Sequence, residues 1–357
     1  MQIELVLYFC GSLIYNEMDS LTQIVLGAAC GEAVLGKKIG NKALLFGAIG
    51  GTIPDLDVFV GSLLYGNEID VMLFHRGFMH SILFSVLAAF LLGRLVFKLY
   101  DSGKRKGITT QSNWISLFFW ALFTHPILDC FTPYGTQLFA PLSNYRVALN
   151  NIAVADPLYT LPFLVCMIVL MFFRRTSTKR KLWLKLGIGI SSVYMLFTLA
   201  NKLYVDSIFK KSLKENHISF NRFSTQPSIL NNILWYGIAE NESAYYVAFY
   251  SLFDSKAYFL DFEELPKTRV KDLFEDKDLE RLSWFSNYYY NVSKIDDNNF
   301  AYYDLRYPVL NETGSKEPIF SLNLYKDGKR LNMKPFEPNT GDFNKAIKLL
   351  WVRMKGK

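Results

Sequence analysis

The sequence predicts a mostly α-helical membrane bundle followed by a small soluble α+β domain. Of the 357 residues, 51% are hydrophobic and only 20% are charged, a balance that is unusual for a soluble globular chain. The apolar residues form long blocks up to about residue 205 and are interleaved with charged residues after it. We therefore divide the chain into a candidate N-terminal extension at 1–17, a transmembrane domain at 18–205 and a soluble domain at 206–357.

Four apolar stretches are long enough to cross a bilayer, which requires about 20 residues. They are Phe78–Tyr100, Asn113–Phe131, Val154–Phe173 and Leu182–Val205. Two shorter stretches, Leu21–Gly36 and Ala43–Ile53, precede them and are rich in Gly and Ala. Because small residues let membrane helices approach closely, we interpret these two as short helices inside the bundle or as re-entrant helices.

Basic residues in the short links predict the orientation of the chain. Lys and Arg cluster in the links at 37–42, 101–111 and 174–185, and such loops remain in the cytoplasm. The links at 61–77 and 132–153 hold few basic residues and are predicted to lie outside. This topology places the C-terminal domain outside the cytoplasm. The net charge of +7 comes mostly from these loops, and no basic–aromatic pattern indicates a nucleic-acid partner.

The soluble part contains aromatic-rich runs that are typical of β-strands. They are Ala244–Leu252, Ala257–Phe262, Phe300–Tyr307 and Pro318–Tyr325. An amphipathic stretch at about Phe343–Met354 predicts a final helix. We find no group of residues typical of catalysis in this domain, and we interpret His217 as a surface residue.

The chemistry is predicted in the membrane half, where three of the four histidines lie in or beside apolar spans. Ionisable residues are costly there and usually functional. The first motif is Pro54-Asp55-Leu56-Asp57. We expect Pro54 to end a helix, and residues two apart in an extended segment point the same way. Asp55 and Asp57 are therefore predicted to face one ion.

The second motif is His75-Arg76-Gly77-Phe78-Met79-His80-Ser81. On a continuous helix the two imidazoles would lie on different faces. Gly77 allows a turn instead, with His75 in the loop and His80 in the first helical turn, so that both converge. The alternative is that these polar residues only anchor the end of a span. Arg76 either holds an anionic substrate group or pairs with one of the acids.

The third motif is Thr124-His125-Pro126-Ile127-Leu128-Asp129. His125 and Asp129 are four residues apart and share one helical face, although a local hydrogen bond without a metal would give the same pattern. The predicted topology brings all three motifs to the outward side of the membrane, and imidazole with carboxylate suits zinc or another divalent metal. The candidate ligands are Asp55, Asp57, His75, His80, His125 and Asp129.

The order of these motifs resembles a known family. The stretches MDSLTQIVLGAA, GTIPDLD, HRGFMHS, THPILDCFTPYG and VADPLYT are similar to the bacterial inner-membrane metal-dependent hydrolases described as LexA-binding or LexA-regulated, over residues 18–205. Many members carry His where this chain has Gln23, which implies either one ligand fewer or a contribution from the Gln23 carbonyl oxygen. The His-x-x-x-Asp pattern is also similar to zinc-dependent phospholipase C and nuclease P1 enzymes, and this analogy implies phosphoester hydrolysis.

Two classes of function remain open. The preferred one is a metal-dependent hydrolase of the bacterial inner membrane that acts on a lipid or envelope phosphoester at the outer leaflet. Zinc would activate water, Arg76 would hold the anionic group, and a carboxylate such as Asp57 would act as general base. The alternative is a non-catalytic protein, either a divalent-metal transporter or a structural stress-response factor. A transporter should carry polar residues through the whole depth of the bundle, and their clustering at one end favours a site.

Overall fold

The structure is a computed structural model that describes residues 18–273, 275–308, 321–334 and 348–356. The candidate extension at 1–17 lies outside these ranges, as do 318–320 of the last predicted strand and 343–347 of the last predicted helix. The described chain forms two compact units, one of residues 18–60 and 74–199 and one of residues 61–73 and 200 onward. The short segment 61–73 therefore belongs with the C-terminal unit, which also takes in the residues just before 206.

Eight α-helices precede the sheets in the described chain. They are α1 Met18–Ile39, α2 Asn41–Thr52, α3 Asp57–Leu64, α4 Glu68–Phe74, α5 Ile82–Tyr100, α6 Gln111–Asp129, α7 Pro157–Met171 and α8 Thr178–Glu215. Three short 3-10 turns lie between them at Pro54–Leu56, Phe78–His80 and Gly103–Arg105.

The prediction of four full spans is wrong. Among the described residues, α5 and α8 are long and apolar enough to cross a membrane, and α2 with Pro54–Leu64 makes a third candidate if this pair, bent by 42°, counts as one span. Helix α7 has only 15 residues, or about 22 Å at 1.5 Å per residue, against a hydrocarbon core of about 30 Å. Helix α6 has 19 residues, but its polar start and its His and Asp lower its hydropathy.

Helices α1 and α2 pack closely because glycines line their contact. A side chain at Gly27 or Gly31 would collide with the backbone of Gly47 or Ala43 on the facing helix. The small residues thus act as predicted for membrane helices. Helix α1 has 22 residues and is longer than the short helix predicted at Leu21–Gly36.

A buried arginine connects several elements of the helical unit. Arg180, at the start of α8, donates to both carboxylate oxygens of Glu32 on α1 at 2.7 and 2.6 Å. It also donates to Asn41 Oδ1 at 2.8 Å and to the Phe173 carbonyl at 3.0 Å. Sequence analysis counted Arg180 only as one of the basic residues that orient the chain.

The C-terminal unit contains two four-stranded antiparallel sheets, each with its strands in sequence order. The first sheet holds β1 Arg222–Pro227, β2 Leu234–Glu240, β3 Ala244–Ser251 and β4 Leu260–Pro266, and the second holds β5 Tyr290–Lys294, β6 Asn299–Asp304, β7 Ser321–Asp327 and β8 Arg330–Met333. Helix α9 (Lys277–Phe285) connects the sheets, and residues 348–354 are helical.

Four of these strands correspond to the predicted aromatic runs, and four were not predicted. Strand β2 is buried along nearly its whole length, so it lacks the alternation of polar and apolar residues that marks a half-buried strand. Phe209 of α8 packs in the core of the first sheet with Trp235 and Phe259. The last turns of α8 therefore belong to the C-terminal unit.

Ion pairs and hydrogen bonds connect the segment 61–73 to the rest of the C-terminal unit. Asp70 on α4 accepts hydrogen bonds from Arg281 at 2.6 Å and from Arg330 at 2.7 and 3.0 Å. Asn67 donates to the Leu331 carbonyl at 2.8 Å, and Asn332 accepts from the Glu68 amide at 2.9 Å. We call this set of contacts the α4 clamp.

Candidate metal centre

The turn that follows α2 separates the two acids of the first motif. Pro54 begins a 3-10 turn, and Asp57 caps that turn and begins α3. Proline is favoured at the first helical position because it has no amide hydrogen to satisfy there. The segment is consequently helical and not extended as predicted. Asp55 and Asp57 do not face one point, and they contact different atoms of the histidines.

The second motif forms a tight turn between α4 and α5. Arg76 adopts φ of 58°, a left-handed conformation that few residues other than glycine take. The Gly77 amide donates to the Phe74 carbonyl at 3.0 Å. His80 then lies in the 3-10 turn Phe78–His80, just before α5 and not in its first helical turn. The turn leaves His75 half-buried and His80 fully buried.

The third motif lies in the last turns of α6. His125 Nε2 is 3.4 Å from Asp129 Oδ2, the spacing of residues four apart on one helical face. Both side chains are almost completely buried. Pro126 lies inside the helix without interrupting this pair.

Three donor atoms, one from each motif, converge on one point. His80 Nε2 lies 3.1 Å from His125 Nε2, and Asp55 Oδ1 lies 3.4 Å from the first and 3.3 Å from the second. Asp129 Oδ2 is 3.4 Å from each imidazole nitrogen. Ligands at about 2.0–2.1 Å from a tetrahedral zinc ion would be about 3.3 Å apart. Asp55, His80 and His125 thus form a group that could hold a metal ion, and Asp129 lies beside the two imidazoles.

The far side of each imidazole is held by an acceptor. His125 Nδ1 is 2.6 Å from the Gly51 carbonyl oxygen, so Nδ1 carries the proton. His80 Nδ1 lies 2.9 Å from Asp57 Oδ2, although the angle is outside the hydrogen-bond range. The contact with Gly51 turns the Nε2 lone pair of His125 toward the shared point, as is usual for histidines that bind metal.

Gln23 holds Asp129 in place. Its Nε2 donates to Asp129 Oδ1 at 2.8 Å and to the His125 carbonyl at 3.2 Å. Asp129 Oδ2 is buried and has no hydrogen-bond partner, so it is available to a cation. Gln23 directs its amide nitrogen toward Asp129. It therefore supports the Asp129 carboxylate through a hydrogen bond.

The other predicted site residues lie beside this group. His75 Nδ1 is 2.7 Å from Asp57 Oδ1, and the His75 ring centroid is 5.6 Å from that of His80. Asp57 is completely buried and accepts from the Arg76 amide at 3.0 Å. Arg76 donates to Thr132 Oγ1 at 2.8 Å, and its Nε is 3.7 Å from Asp129 Oδ2. Asp57 therefore orients both histidines from behind, and Arg76 lies against Asp129.

Sequence reasoning missed two other residues near His75. The Tyr134 ring centroid lies 5.5 Å from that of His75, and Arg146 Nη2 lies 3.4 Å from the His75 carbonyl oxygen. Tyr134 belongs to the stretch THPILDCFTPYG. Arg146 is the basic residue of the otherwise base-poor link at 132–153, which is the one sequence feature that distinguishes it.

The charges of the centre fit a divalent cation. With neutral imidazoles, the carboxylates of Asp55, Asp57 and Asp129 and the guanidinium of Arg76 leave a net charge of about −2 within a mostly buried space. Buried charge is very unfavourable without compensation. One divalent ion would neutralise it.

The helices and this centre define a membrane protein with a candidate metal-binding group. Residues 18–205 match the model of the YdjM inner membrane protein family, and the chain belongs to that family. It is also 29% identical over 150 residues to protein YfhP of Bacillus subtilis (strain 168), itself described as uncharacterised. The match covers 39% of this chain and 42% of YfhP, or about two fifths of the relative's length. No solved structure matches the chain.

Proposed function

We propose that the chain is a membrane-embedded metal-dependent hydrolase whose metal, most simply zinc, is bound by Asp55, His80 and His125, with Asp129 beside the two imidazoles. One observation carries the metal proposal. Two imidazole nitrogens and one carboxylate oxygen, those of His80, His125 and Asp55, lie within 3.1–3.4 Å of one another, close enough to share one ion.

A divalent cation suits this cluster because the cation can bind the lone pairs of both imidazoles and of the carboxylate at once. The Nδ1 atom of His125 faces the Gly51 carbonyl oxygen, so the Nε2 lone pair of His125 is directed at the shared point. Zinc prefers this mixture of nitrogen and oxygen ligands.

The centre is exposed on one side, at Asp55. Asp55 is about one-fifth exposed, whereas the side chains of His80, His125 and Asp129 are almost fully buried. We infer that water or a substrate would approach the metal position beside Asp55. When bound, a metal there would lower the pKa of water to about 7 and polarise an ester.

His75 and Asp57 supply the proton transfer. Asp57 holds His75 Nδ1 at 2.7 Å, which leaves His75 Nε2 as the basic atom and stabilises the imidazolium that forms, as in other His–Asp pairs. His75 keeps about a quarter of its side chain exposed, whereas Asp57 is buried. We therefore give the role of general base to His75 and a positioning role to Asp57. Arg76 balances the charge of Asp129.

The substrate class that suits this site is a phosphoester. The chain belongs to an inner-membrane family, and the predicted topology opens the centre toward the outer leaflet. A lipid or envelope phosphoester would be accessible there.

A specific observation also favours a second function. Asp129 Oδ2 lies 3.4 Å from both imidazole nitrogens, and as a fourth ligand it would complete the closed set that is typical of structural zinc sites. In that case the ion would stabilise the bundle, and the protein would be a non-catalytic membrane factor.

Hydrolysis of a chromogenic phosphodiester separates the two functions. Full-length protein purified in detergent should hydrolyse bis(p-nitrophenyl) phosphate, lose activity on chelation and regain it with zinc. His75→Gln should lower turnover about 10²–10⁴-fold while the metal content stays unchanged, because a general base contributes about that much. His217→Ala is the matched control. A protein that holds zinc and hydrolyses no phosphoester would support the structural function.

A further inference from the structure

The helical segment near the C-terminus exposes an apolar pair between two lysines. Residues 348–354 are helical. Lys348, Trp351, Val352 and Lys355 follow the spacing i, i+3, i+4 and i+7, which places them on one side of the helix. Both lysines are exposed, and Trp351 and Val352 are exposed by 58% and 59%. A large aromatic ring and a valine therefore lie open at the surface of the C-terminal unit.

The opposite side of this segment is bound to the end of β3. Leu350 is buried. Arg353 donates to the two carboxylate oxygens of Asp254 at 2.7 Å each. Ser251, the last residue of β3, donates to the Met354 carbonyl. These contacts fix the segment on the first sheet, so that its outward face has a defined position.

Helix α8 is predicted to leave the hydrocarbon core near Asn201. From Leu182 to Asn201 the helix carries a single charged residue, Lys185, near the start of this stretch. The stretch of about 20 residues measures about 30 Å, which is the thickness of the hydrocarbon core. Tyr204 follows and is exposed, and tyrosine is enriched where membrane meets water. The membrane surface is therefore expected at about residues 201–204.

The end of β3 lies at this level of α8. Asn201 donates to the carbonyl and to Oδ1 of Asn232 at 2.9 and 2.6 Å. Strand β2 begins two residues after Asn232 and starts opposite Ser251 of β3. Farther along both elements, the ring of Phe209 lies against Gly237 of β2. Strand β2 and the last turns of α8 thus run away from the membrane together, and the end of β3 is the membrane end of the first sheet.

The chemistry of the exposed face suits a lipid surface. Phe253, two residues after the end of β3, is 62% exposed and adds a second aromatic ring at this end of the sheet. The stretch 348–356 contains no acidic residue, and the neighbouring Asp254 is paired with Arg353. Tryptophan is enriched at the level of lipid headgroups, and lysines near a membrane surface attract anionic lipids.

We propose that residues 348–355 bind the surface of an anionic bilayer. Trp351 and Val352 lie in the headgroup region, and Lys348 and Lys355 contact lipid phosphates. The segment thereby holds the membrane end of the first sheet against the bilayer beside α8. The proposal depends on where α8 leaves the bilayer, so it holds for either orientation of the C-terminal domain and does not involve the metal centre.

Fluorine NMR of the full-length protein tests the contact with lipid. Protein labelled with fluorotryptophan is placed in nanodiscs that contain phosphatidylcholine and phosphatidylglycerol, and Trp351→Phe identifies the resonance of Trp351. A lipid with a nitroxide on its headgroup should broaden this resonance and reduce its intensity.

Tyr288→Trp is the matched control for position. Tyr288 is also an exposed aromatic residue of the C-terminal unit. Its carbonyl accepts a hydrogen bond from Tyr245 at 3.1 Å, and Tyr245 lies at the start of β3, at the opposite end of the strand from Ser251. The resonance of the tryptophan introduced at 288 should keep its intensity beside the nitroxide lipid.

The double variant Lys348→Gln with Lys355→Gln tests the contact with anionic headgroups. It should reduce the broadening of Trp351 to the level in phosphatidylcholine alone, because each lysine near an anionic surface strengthens binding about five-fold. Lys210→Gln with Lys214→Gln is the matched control. These exposed lysines lie about 13 Å or more beyond Asn201 along α8, past the distance of about 8 Å over which charges act at physiological ionic strength. This control should leave the broadening unchanged.

Two results would overturn the proposal. A Trp351 resonance that keeps its intensity beside the nitroxide lipid excludes contact with the bilayer and leaves a protein partner as the occupant of this face. Broadening that is equal in neutral and anionic bilayers, and that the lysine variant does not change, excludes the binding of anionic headgroups.

Discussion

At the scale of single residues, Asp57 serves the centre without facing the metal position. Its two oxygens lie 2.7 Å from His75 Nδ1 and 2.9 Å from His80 Nδ1, and it also accepts from the Arg76 amide. One buried carboxylate thus orients His75 by a hydrogen bond, lies against His80 and supports the turn between them.

Asp57→Asn should weaken zinc affinity about 10- to 100-fold, the usual effect of losing the group that orients a ligand. An amide would offer N–H to at least one imidazole that needs an acceptor. Competition with a fluorescent chelator measures the affinity. Asp101→Asn is the control, since Asp101 accepts only a loop amide, that of Gly107, among its described hydrogen bonds. Equal affinity in wild type and Asp57→Asn would remove the orienting role.

At the scale of secondary-structure elements, Arg180 joins the start of α8 to α1, to the start of α2 and to the end of α7. Both members of the Arg180–Glu32 pair are buried. Removal of one member of such a pair leaves a buried charge without compensation.

Arg180→Met should lower the stability of the helical unit by about 3–5 kcal/mol. The double variant Glu32→Met with Arg180→Met should lose less, because no charge is left behind. Thermal unfolding in detergent, followed by circular dichroism, compares them. Arg174→Met, at an exposed position in the same loop, should have little effect. If the double variant is less stable than Arg180→Met alone, the uncompensated charge is not the cause.

The α4 clamp should respond to pH. The hydrogen bond from Arg330 holds the pKa of Asp70 below its ordinary value, partial burial opposes this, and the hydrogen bond from Arg281 adds to the lowering. A lowered carboxyl pKa stabilises the folded state above the ordinary value, and this contribution is lost as pH falls through the lowered pKa. The clamp should therefore weaken below about pH 4.

Hydrogen–deuterium exchange measures this effect in the segment 61–73. After correction for intrinsic exchange rates, protection should fall below about pH 4 in wild type. Asp70→Asn should show low protection at every pH. Asp297→Asn, which alters an exposed acid paired with Lys294, is the control. Protection of wild type that does not change with pH would show that the charges of the clamp contribute nothing.

At the scale of the whole molecule, the predicted topology assigns the C-terminal domain to the outside. Helix α8 has 38 residues, about 57 Å, so it extends well beyond a hydrocarbon core of about 30 Å. Its first turns carry the basic residues that are predicted to remain in the cytoplasm.

Reporter fusions at residues 106 and 215 should give opposite sides of the membrane. Residue 106 lies in a basic loop, and residue 215 ends α8. A paired alkaline phosphatase and green fluorescent protein reporter reads both sides. Fusions on the same side would overturn the topology and the outward position of the centre.

The sequence predicts best those features that arise between residues close together in the chain. The pairing of His125 with Asp129 follows from helical spacing alone, and the Gly-rich character of α1 and α2 predicts their close packing. The split between Asp55 and Asp57 depends on whether Pro54 ends a helix or begins a turn, and the motif permits both. Gln23 supports a residue 106 positions away, and no local pattern indicates such a partner.

The number of membrane-spanning helices was harder to predict from the sequence. Hydropathy finds apolar stretches but does not find where helices end, so α7 proved too short to span a membrane. Buried polar residues also lower the hydropathy of α6 in the place where they form the centre.

Metal content is the measurement that tests the central claim most directly. We predict one divalent ion per chain in full-length protein purified in detergent, measured by mass spectrometry. His217→Ala should keep that ion, whereas the double variant His125→Ala with Asp129→Ala should lose it and still be monodisperse and helical. A wild type that binds no divalent ion, or a double variant that keeps its full metal content, would contradict the account.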